Sequence, residues 1–343
     1  MNRLRLLVVT PFYKPAFVYG GPVRSIPALC EALASLGVDV TVYTTNANGA
    51  TNLDKDPNIP YDVSQVQVHY FERTGQGNYF FSRNLATACY NSVSSFDLVY
   101  ISSVWGYPII PASRAAIRQK IPFVITTRGS FIRWTWEGKY TKKLIYHYLV
   151  ERSLIKKAAA LHFTTSLEVA ESSWIRVDVP YFIVPNPVNL DEFGYLPEAG
   201  CFRNKYKLEK HDKIILFLGR IEAVKGIDLT LEAFAAVAND FPEARLILAG
   251  PEEDGYLQTI MELATALNIA DRLIITGYLD ALQRLEAIVD ADIFVLSSYS
   301  ENFGVAAVEA MAGGLPVLVS HHVGIADEVK KNRYRNRLFN CLT

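Results

Sequence analysis

Continuous apolar runs alternate along this chain with amphipathic stretches, and the alternation occurs twice. LRLLVV near the start is a run of the kind buried between two covering layers in a parallel sheet. A loop holding Gly20 and Gly21 follows. PVRSIPALCEALASLG then sets Ile26, Leu29, Ala32, Leu33 and Leu36 on one helical face, with Gly37 as its stop. VDVTVYTT predicts the next strand and completes a βαβ unit. FDLVYISS and PFVITT predict two more strands, the latter ending at Arg128 and Gly129. The second half repeats the plan. KIILFLGR predicts a strand whose exit loop holds Arg220, Lys225 and Gly226, and DLTLEAFAAVAND is an amphipathic helix. ARLILAGPE, RLIITGYL and DIFVLSS predict further strands, separated by helical patterns such as YLQTIMELATALN.

Strand–helix alternation in both halves predicts an α/β protein of two doubly wound, mostly parallel sheets with helices on both faces. The connection VPNPVNLDEFGYLPEAGCFRNKYKLEKHDK is rich in turn-formers and charges. It sets the domains at 1–190 and 191–343. Open α/β sheets bind ligands beyond the carboxyl ends of their strands. Two such domains facing one another predict a central cleft lined by those loops.

The length of 343 residues and the 50% hydrophobic content suffice for two cores. The formal net charge of −1 names no partner, but its distribution is uneven. Residues 1–190 carry 19 Lys+Arg against 12 Asp+Glu, a net +7, and residues 191–343 carry 15 against 23, a net −8. The counts fit a first half that meets something anionic, and equally an uneven solvated surface. Cys30, Cys89, Cys201 and Cys341 show no CxxC and no His at ligand spacing, so they read as reduced thiols of a cytosolic protein. The apolar core before Thr10 and Pro11 is too short for a signal peptide, and no apolar run approaches the ~18 residues of a spanning helix. A soluble or peripherally attached protein is expected.

The segment SENFGVAAVEAMAGGLPVLVS places Glu301 and Glu309 eight positions apart. On a helix that separation means a rise of about 12 Å and a rotation of about 80°. A glycosidase pair stands within about 5–10 Å across one bond, so the two are not a hydrolytic dyad. DIFVLSSYS predicts a strand ahead of them and Gly304 a loop-to-helix junction. Glu301 then falls in the loop and Glu309 one to two turns into the helix. The N–H groups around Asn302, Phe303, Gly304 and Val305 would form an anion site, helped by the helix dipole. Carboxylates on either side can accept hydrogen bonds from hydroxyls. A sugar at one end, a ribose at the other and a diphosphate between them meet these requirements, which is the chemistry of a nucleotide sugar. Arg220 and Lys225 can converge on the diphosphate. Gly20 and Gly21 let backbone approach the same phosphates from the other domain. Each of these features alone also reads as a surface charge or a turn.

Together, FLGRIEAVKGIDLTLEAF, VPNPVNLDEF, LAGPEED, ITGYL and the Glu301-to-Glu309 segment resemble the retaining GT-B glycosyltransferases of the group 1, family 4 type, whose mark is Glu-x7-Glu. The likeness is faint in the first half and strong from Val184 to Val329. It implies the GT-B fold, with two Rossmann-like domains about a central cleft. It implies transfer of a hexose, with retention and without metal or other cofactor, from a UDP- or GDP-linked sugar to a hydroxyl of a glycan or lipid-linked acceptor. Surface polysaccharide or glycolipid assembly is the setting it suggests. By the same resemblance Arg220 and Lys225 bind the donor diphosphate. Glu301 and the backbone of Asn302, Phe303 and Gly304 contact the transferred sugar and its phosphate. Glu309 holds the ribose, and Gly21 approaches the phosphates. Arg128 and Asn186 are candidates on the acceptor side. Two departures stand out. Many members place a histidine after the strand that PFVITT matches, where this chain reads TTRGSFIRW. Members also continue past GIADEV with a strand and a long helix, where this chain ends in KKNRYRNRLFNCLT and looks shortened. The rivals are a non-catalytic nucleotide-sugar binding protein and an epimerase or phosphorylase of the same fold.

Other signals carry less. Asp290-Ala291-Asp292 resembles a metal-binding DxD, but it straddles a helix end and a strand start, where Asp292 fits a turn. No metal is expected. His321-His322 reads as a surface pair, and the absence of GxGxxG removes a nicotinamide dehydrogenase. The segment Arg128–Lys157 holds eight basic residues against Glu137 and Glu151, with Trp134, Trp136, Tyr140, Tyr146 and Tyr148 among them. It suits contact with an anionic membrane, a groove for a phosphate-bearing lipid-linked acceptor, or a helical pair with Leu144, Tyr148 and Leu154 in the core. No nucleic-acid module accompanies the charge.

Overall fold

Side chains alternate in direction along a strand, so a run that is apolar at every position must be covered on both faces. In the computed structural model, which describes residues 3–102, 104–136, 140–252 and 255–332, the opening run forms β1 (Arg5–Val9). Leu7 and Val9 enter one core with Leu85, Ile101 and Ile125. Leu6 and Val8 enter another with Ile26, Val42 and Val68. The chain divides into two compact units, Met1–Pro187 and Val188–Thr343.

In the first unit β1 is followed by β2 (Asp39–Thr45), a small antiparallel pair β3 (Ala47–Asn48) and β4 (Thr51–Asn52), then β5 (Tyr61–Val63), β6 (Val66–Phe71), β7 (Leu98–Ser102), β8 (Phe123–Thr126), β9 (Ala160–Phe163) and β10 (Tyr181–Ile183). Among the described residues the main sheet runs β10-β9-β8-β7-β1-β2-β6-β5, parallel throughout except for β5 against β6. Strand order reverses between β1 and β7, so the loops leaving those two strands diverge at their carboxyl ends. β6, β9 and β10 go beyond the runs read from sequence. β6 alternates buried with half-buried positions and β10 is exposed along its length, so neither carries a continuous apolar signal.

The second unit contains β11 (Lys213–Leu218), β12 (Ala244–Ala249), β13 (Leu273–Gly277), β14 (Ile293–Leu296) and β15 (Val317–Val319). They pair in parallel in the order β13-β12-β11-β14-β15. Ile214, Leu216, Leu246, Leu248 and Phe294 are fully buried, packed with Leu231 and Phe234 of the helix Ile227–Ala238. Order reverses again between β11 and β14. The exit loop of β11 holds Arg220 and Lys225, and that of β14 holds Glu301.

One core expectation is corrected. Of Leu144, Tyr148 and Leu154, Leu154 is buried while Tyr148 is 57% exposed. The turn His147–Glu151 is π-helical, and its extra residue moves the inward face onto His147 and Glu151, which are both buried. Trp136 is buried as well. Glu137 and Lys139 lie outside the described residues, as do Cys341 and the rest of the tail after Asn332.

Candidate active site

One glycine lets the exit loops of β11 and β14 meet, and a second seats the β14 loop against the segment that follows β15. Gly226 ends the turn Ala223–Lys225 at φ 61°, and a Cβ there would stand 2.3 Å from the Ser297 carbonyl oxygen, just past β14. Backbone in that conformation, that close to another strand end, requires glycine. Ser297 Oγ donates to the Gly226 carbonyl at 2.5 Å, and Tyr299 N–H donates to Val224 O at 2.9 Å. Tyr299 OH also donates to Asp228 at 2.6 Å, and that contact pushes the phenol up to about 12. The second glycine is Gly304, at φ 94°, where a Cβ would come 2.8 Å from Val323. It starts the helix Val305–Ala312.

Between these anchors Lys225 Nζ meets Glu301 Oε2 at 2.5 Å, with the side chains 16% and 19% exposed. Glu301 N–H donates to His322 O at 3.1 Å and Glu301 O accepts from Gly324 N–H at 2.8 Å, which fixes the loop from behind. Phe303 N–H donates to Glu301 Oε1 at 3.5 Å. Burial alone pushes the Glu301 carboxyl up. The Lys225 ammonium, with the Phe303 and Gly304 N–H groups, outweighs it and holds the acid below its ordinary value. The Glu301 carboxylate thus lies against the same N–H groups and ammonium that the sequence assigns to an anionic ligand. Arg220, at the head of the loop, pairs with Glu222 at 2.9 Å and stays 41% exposed.

Glu309, one turn into the helix, is buried with Arg284. Arg284 Nη1 lies 3.2 Å from Glu309 Oε1, and its Nη2 donates to Glu192 Oε2 at 2.7 Å. The sequence reading lacks Arg284. A signal for it exists, since Arg284 shares a face with the buried Ala287 and Ile288 on the helix Ala281–Asp290. A basic residue on an apolar face needs an acid opposite.

In the first unit Gly20 has φ 71° and Gly21 leads into the helix Pro22–Ser35. A Cβ on Gly20 would meet nothing within 4 Å, so the backbone angle alone demands glycine there. Arg128 Nη1 donates to Ser25 Oγ in the first turn of that helix at 2.7 Å and to Asn186 Oδ1 at 2.5 Å. Arg128 itself has φ 50°. Its neighbours are clamped by the buried Glu168. Oε1 of Glu168 accepts from Thr127 Oγ1 at 2.5 Å and Gly129 N–H at 2.6 Å, and Oε2 accepts from Thr164 N–H at 2.7 Å. Ser25 and Glu168 were not among the sequence candidates. Nearby, His162 Nε2 faces the Val184 carbonyl, which can only accept, so Nδ1 accepts from Tyr100 OH at 2.7 Å. Burial, first, and Arg128 lower the histidine's pKa.

Comparison with known proteins follows the same division. Residues 20–187 match the family described as glycosyl transferase 4-like domain, and residues 201–339 match glycosyl transferases group 1. The chain is 35% identical to the alpha-monoglucosyldiacylglycerol synthase of Streptococcus pneumoniae, covering 92% of this chain and 70% of that protein. This chain belongs to the group 1 glycosyltransferases. It is also 24% identical to the mannosylfructose-phosphate synthase of Agrobacterium fabrum, over 92% of this chain and 74% of that one. Its fold is similar to that of Anabaena HepE solved with UDP-glucose, with a TM-score of 0.70 at 16% identity, covering 95% of this chain and 83% of that one. The fold class is GT-B.

In this glycosyltransferase the DxD-like carboxylates hold the fold together. Asp290 accepts from Gly200 N–H at 2.6 Å and Arg203 N–H at 3.0 Å. Asp292 accepts from Ile214 N–H at 2.8 Å, which ties it to β11 rather than to a turn. His321 and His322 are exposed, with ring centres 3.8 Å apart and planes tilted by 41°. Among the described residues no cluster of His, Cys, Asp and Glu could hold a metal ion, and no helix is long and apolar enough to cross a membrane.

Proposed function

We propose that this glycosyltransferase moves a hexose from a UDP- or GDP-linked sugar to a hydroxyl of a glycan or lipid-linked acceptor, with retention of anomeric configuration. The observation that carries the reading is Lys225 beside Glu301 at the start of the helix Val305–Ala312. Lys225, Arg220 and the N–H groups of Phe303, Gly304 and Val305 would take the negative charge of the departing diphosphate. Glu301, released from Lys225 by that anion, would accept hydrogen bonds from the transferred sugar, with Asn302 beside it. Glu309, steadied by Arg284, would hold the ribose. Gly20 and Gly21 would border the phosphates, and Arg128 and Asn186 would meet the acceptor. The C–O bond to the diphosphate breaks as the acceptor oxygen bonds the anomeric carbon on the same face, and the hydroxyl proton passes to the leaving phosphate. The fold neighbour solved with UDP-glucose supports a nucleotide-sugar donor, and the relatives named for monoglucosyldiacylglycerol and mannosylfructose-phosphate support a sugar-bearing product.

Peripheral contact with an anionic membrane belongs to the same proposal. Ile145, Tyr148 and Leu149 are 54%, 57% and 77% exposed, and Lys142 and Lys156 are exposed at the two ends of this ridge. Glu151, the one acid between Tyr140 and Lys157, is buried.

The test is a panel of UDP-, GDP- and ADP-sugars. One donor raises the melting point by linkage and releases free nucleotide only when an acceptor hydroxyl is supplied, giving a product with the donor's anomeric configuration. Tight binding without release marks a binding protein, and an isomerised donor marks an epimerase. Either result replaces this reading.

A further inference from the structure

Arg73 follows β6 by two residues and is only 4% exposed. Its Nε donates to Asn52 Oδ1 at 2.7 Å, and its Nη2 donates to the carbonyls of Gly49 at 2.8 Å and Thr51 at 2.7 Å. Its backbone N–H donates to Asn46 Oδ1 at 3.1 Å. All four acceptors lie in residues 46–52, the β3–β4 hairpin and the position ahead of it. Burying a guanidinium is costly, and an acid normally offsets that cost. Here the planar fork is spread over neutral oxygens of one tight turn, through charge-assisted bonds stronger than neutral ones. Arg73 thereby fixes the shape of the turn.

That turn meets the segment leading into Gly20 and Gly21. Gly49 has φ 62°, its N–H donates to the Tyr19 hydroxyl at 3.1 Å, and a Cβ on it would touch Val18 at 3.4 Å. The Tyr19 ring stacks on Phe12 with centres 4.1 Å apart and planes 10° from parallel, and Phe80 meets it edge-on at 5.7 Å. A ring held by its hydroxyl and by two aromatic neighbours sets where the Gly20 peptide begins. Gly20 N–H then donates to Phe17 O at 3.0 Å, and Gly20 O accepts from Val23 N–H at 3.1 Å.

We propose that Arg73 is a positioning residue for the Gly20–Gly21 loop, acting through the β3–β4 turn and the Tyr19 hydroxyl. The proposal deepens the transferase reading, which gives that loop to the donor phosphates, and it rests on that reading for the word donor. A loop already held in one conformation loses less freedom when a ligand arrives. The contribution of Arg73 is therefore to donor affinity, and the chemical step is left to other groups.

The experiment joins hydrogen exchange of the full chain with calorimetric binding of two probes, UDP-glucose and GDP-mannose. Arg73→Met and Tyr19→Phe each speed exchange of the Gly20 and Val23 amides by about tenfold while the amides of β1 keep their protection. Each weakens binding of the accepted probe about 2- to 10-fold, the worth of one net hydrogen bond. The double variant loses no more than the larger single loss, because both changes cut one chain of contacts. KM for the donor rises and kcat holds. Arg73→Lys, which keeps the charge without the fork, falls between wild type and Arg73→Met. Should Arg73→Met fail to fold, Tyr19→Phe decides alone. Wild-type exchange at Gly20 and Val23 in Tyr19→Phe, or additive losses in the double variant, overturns the proposal. Probe binding that neither variant weakens removes this proposal and leaves the transferase reading. Faster loop exchange in a chain that binds no nucleotide sugar removes the transferase reading and leaves Arg73 as the residue that positions the loop.

Discussion

Lys225 and Glu301, 76 positions apart in the chain, form an ion pair of 2.5 Å between the exit loops of β11 and β14. A pair at that place has two partners to exchange. In the proposed function an arriving diphosphate would draw the ammonium to its oxygens and free the carboxylate for hydroxyls. Lys225→Ala is therefore expected to lower turnover by about 10²-fold, the usual loss of one contact to developing charge, with a much smaller change in donor affinity. Comparing kcat with the nucleotide-sugar Kd checks it. Equal losses in both assign Lys225 to uniform binding instead.

The same pair has a pH signature. Because the folded protein holds the Glu301 carboxyl below its ordinary value, the pair's contribution to stability is present above the unfolded glutamate pKa of about 4.3. It is lost as pH falls through the lower folded value. Urea midpoints measured from neutral pH down to acid should fall less steeply for Glu301→Gln than for the wild type. Parallel curves would mean that the pair adds no net stability.

Arg284 joins two acids, Glu309 and Glu192, from a nearly buried position. Removing one member of a buried pair leaves a charge without its counter-ion, which costs about 3–5 kcal/mol. Arg284→Met should thus destabilise the second unit strongly, and adding Glu309→Gln should recover much of the loss. A double-mutant cycle on unfolding free energy measures the coupling. Additive losses would show that the two side chains act independently.

Gly226 and Gly20 need glycine for different reasons, and alanine separates them. At Gly20 the new methyl meets open space, so the cost is the positive-φ backbone alone, about 1–3 kcal/mol. At Gly226 it also meets the Ser297 carbonyl at 2.3 Å, so the β11 and β14 loops must separate. Gly226→Ala is expected to be the more destabilising in urea, and to lose donor binding. The reverse order would contradict the close approach.

The ridge Ile145–Leu149 gives a membrane prediction. The full chain should float with vesicles containing phosphatidylglycerol and remain behind with pure phosphatidylcholine. Lys142→Glu with Lys156→Glu should reduce the bound fraction by about an order of magnitude, at roughly 1 kcal/mol per basic residue. Ile145→Ser with Leu149→Ser should reduce it in all salt conditions. Flotation that ignores all four changes would assign the ridge to another partner.

Much of the architecture was legible beforehand, in both senses of the pattern. LRLLVV, KIILFLGR and DIFVLSS became β1, β11 and β14 because their apolar positions have no polar side to show to water. Gly304 could be read as a helix start because it precedes a stretch of small apolar residues after a strand. β6 and β10 escaped, since strands near a sheet edge bury one face or neither. In one of the three readings of Arg128–Lys157, α-helical spacing puts Tyr148 in a core, and one π-helical turn brings it to the surface instead.

Residue order along the chain thus settled the strands, the helices and the loops that carry Arg220, Lys225, Glu301 and Gly20, because each depends on a period of a few residues. It was silent on who meets whom. Lys225 against Glu301, Arg284 against Glu309, Arg128 against Ser25 and Asn186, and Glu151 beneath Trp105 each join positions that are 25 to 103 residues apart. Those pairings follow from strand order and from where each sheet reverses. Charge partners are chosen by distance in space, and no local period encodes that distance.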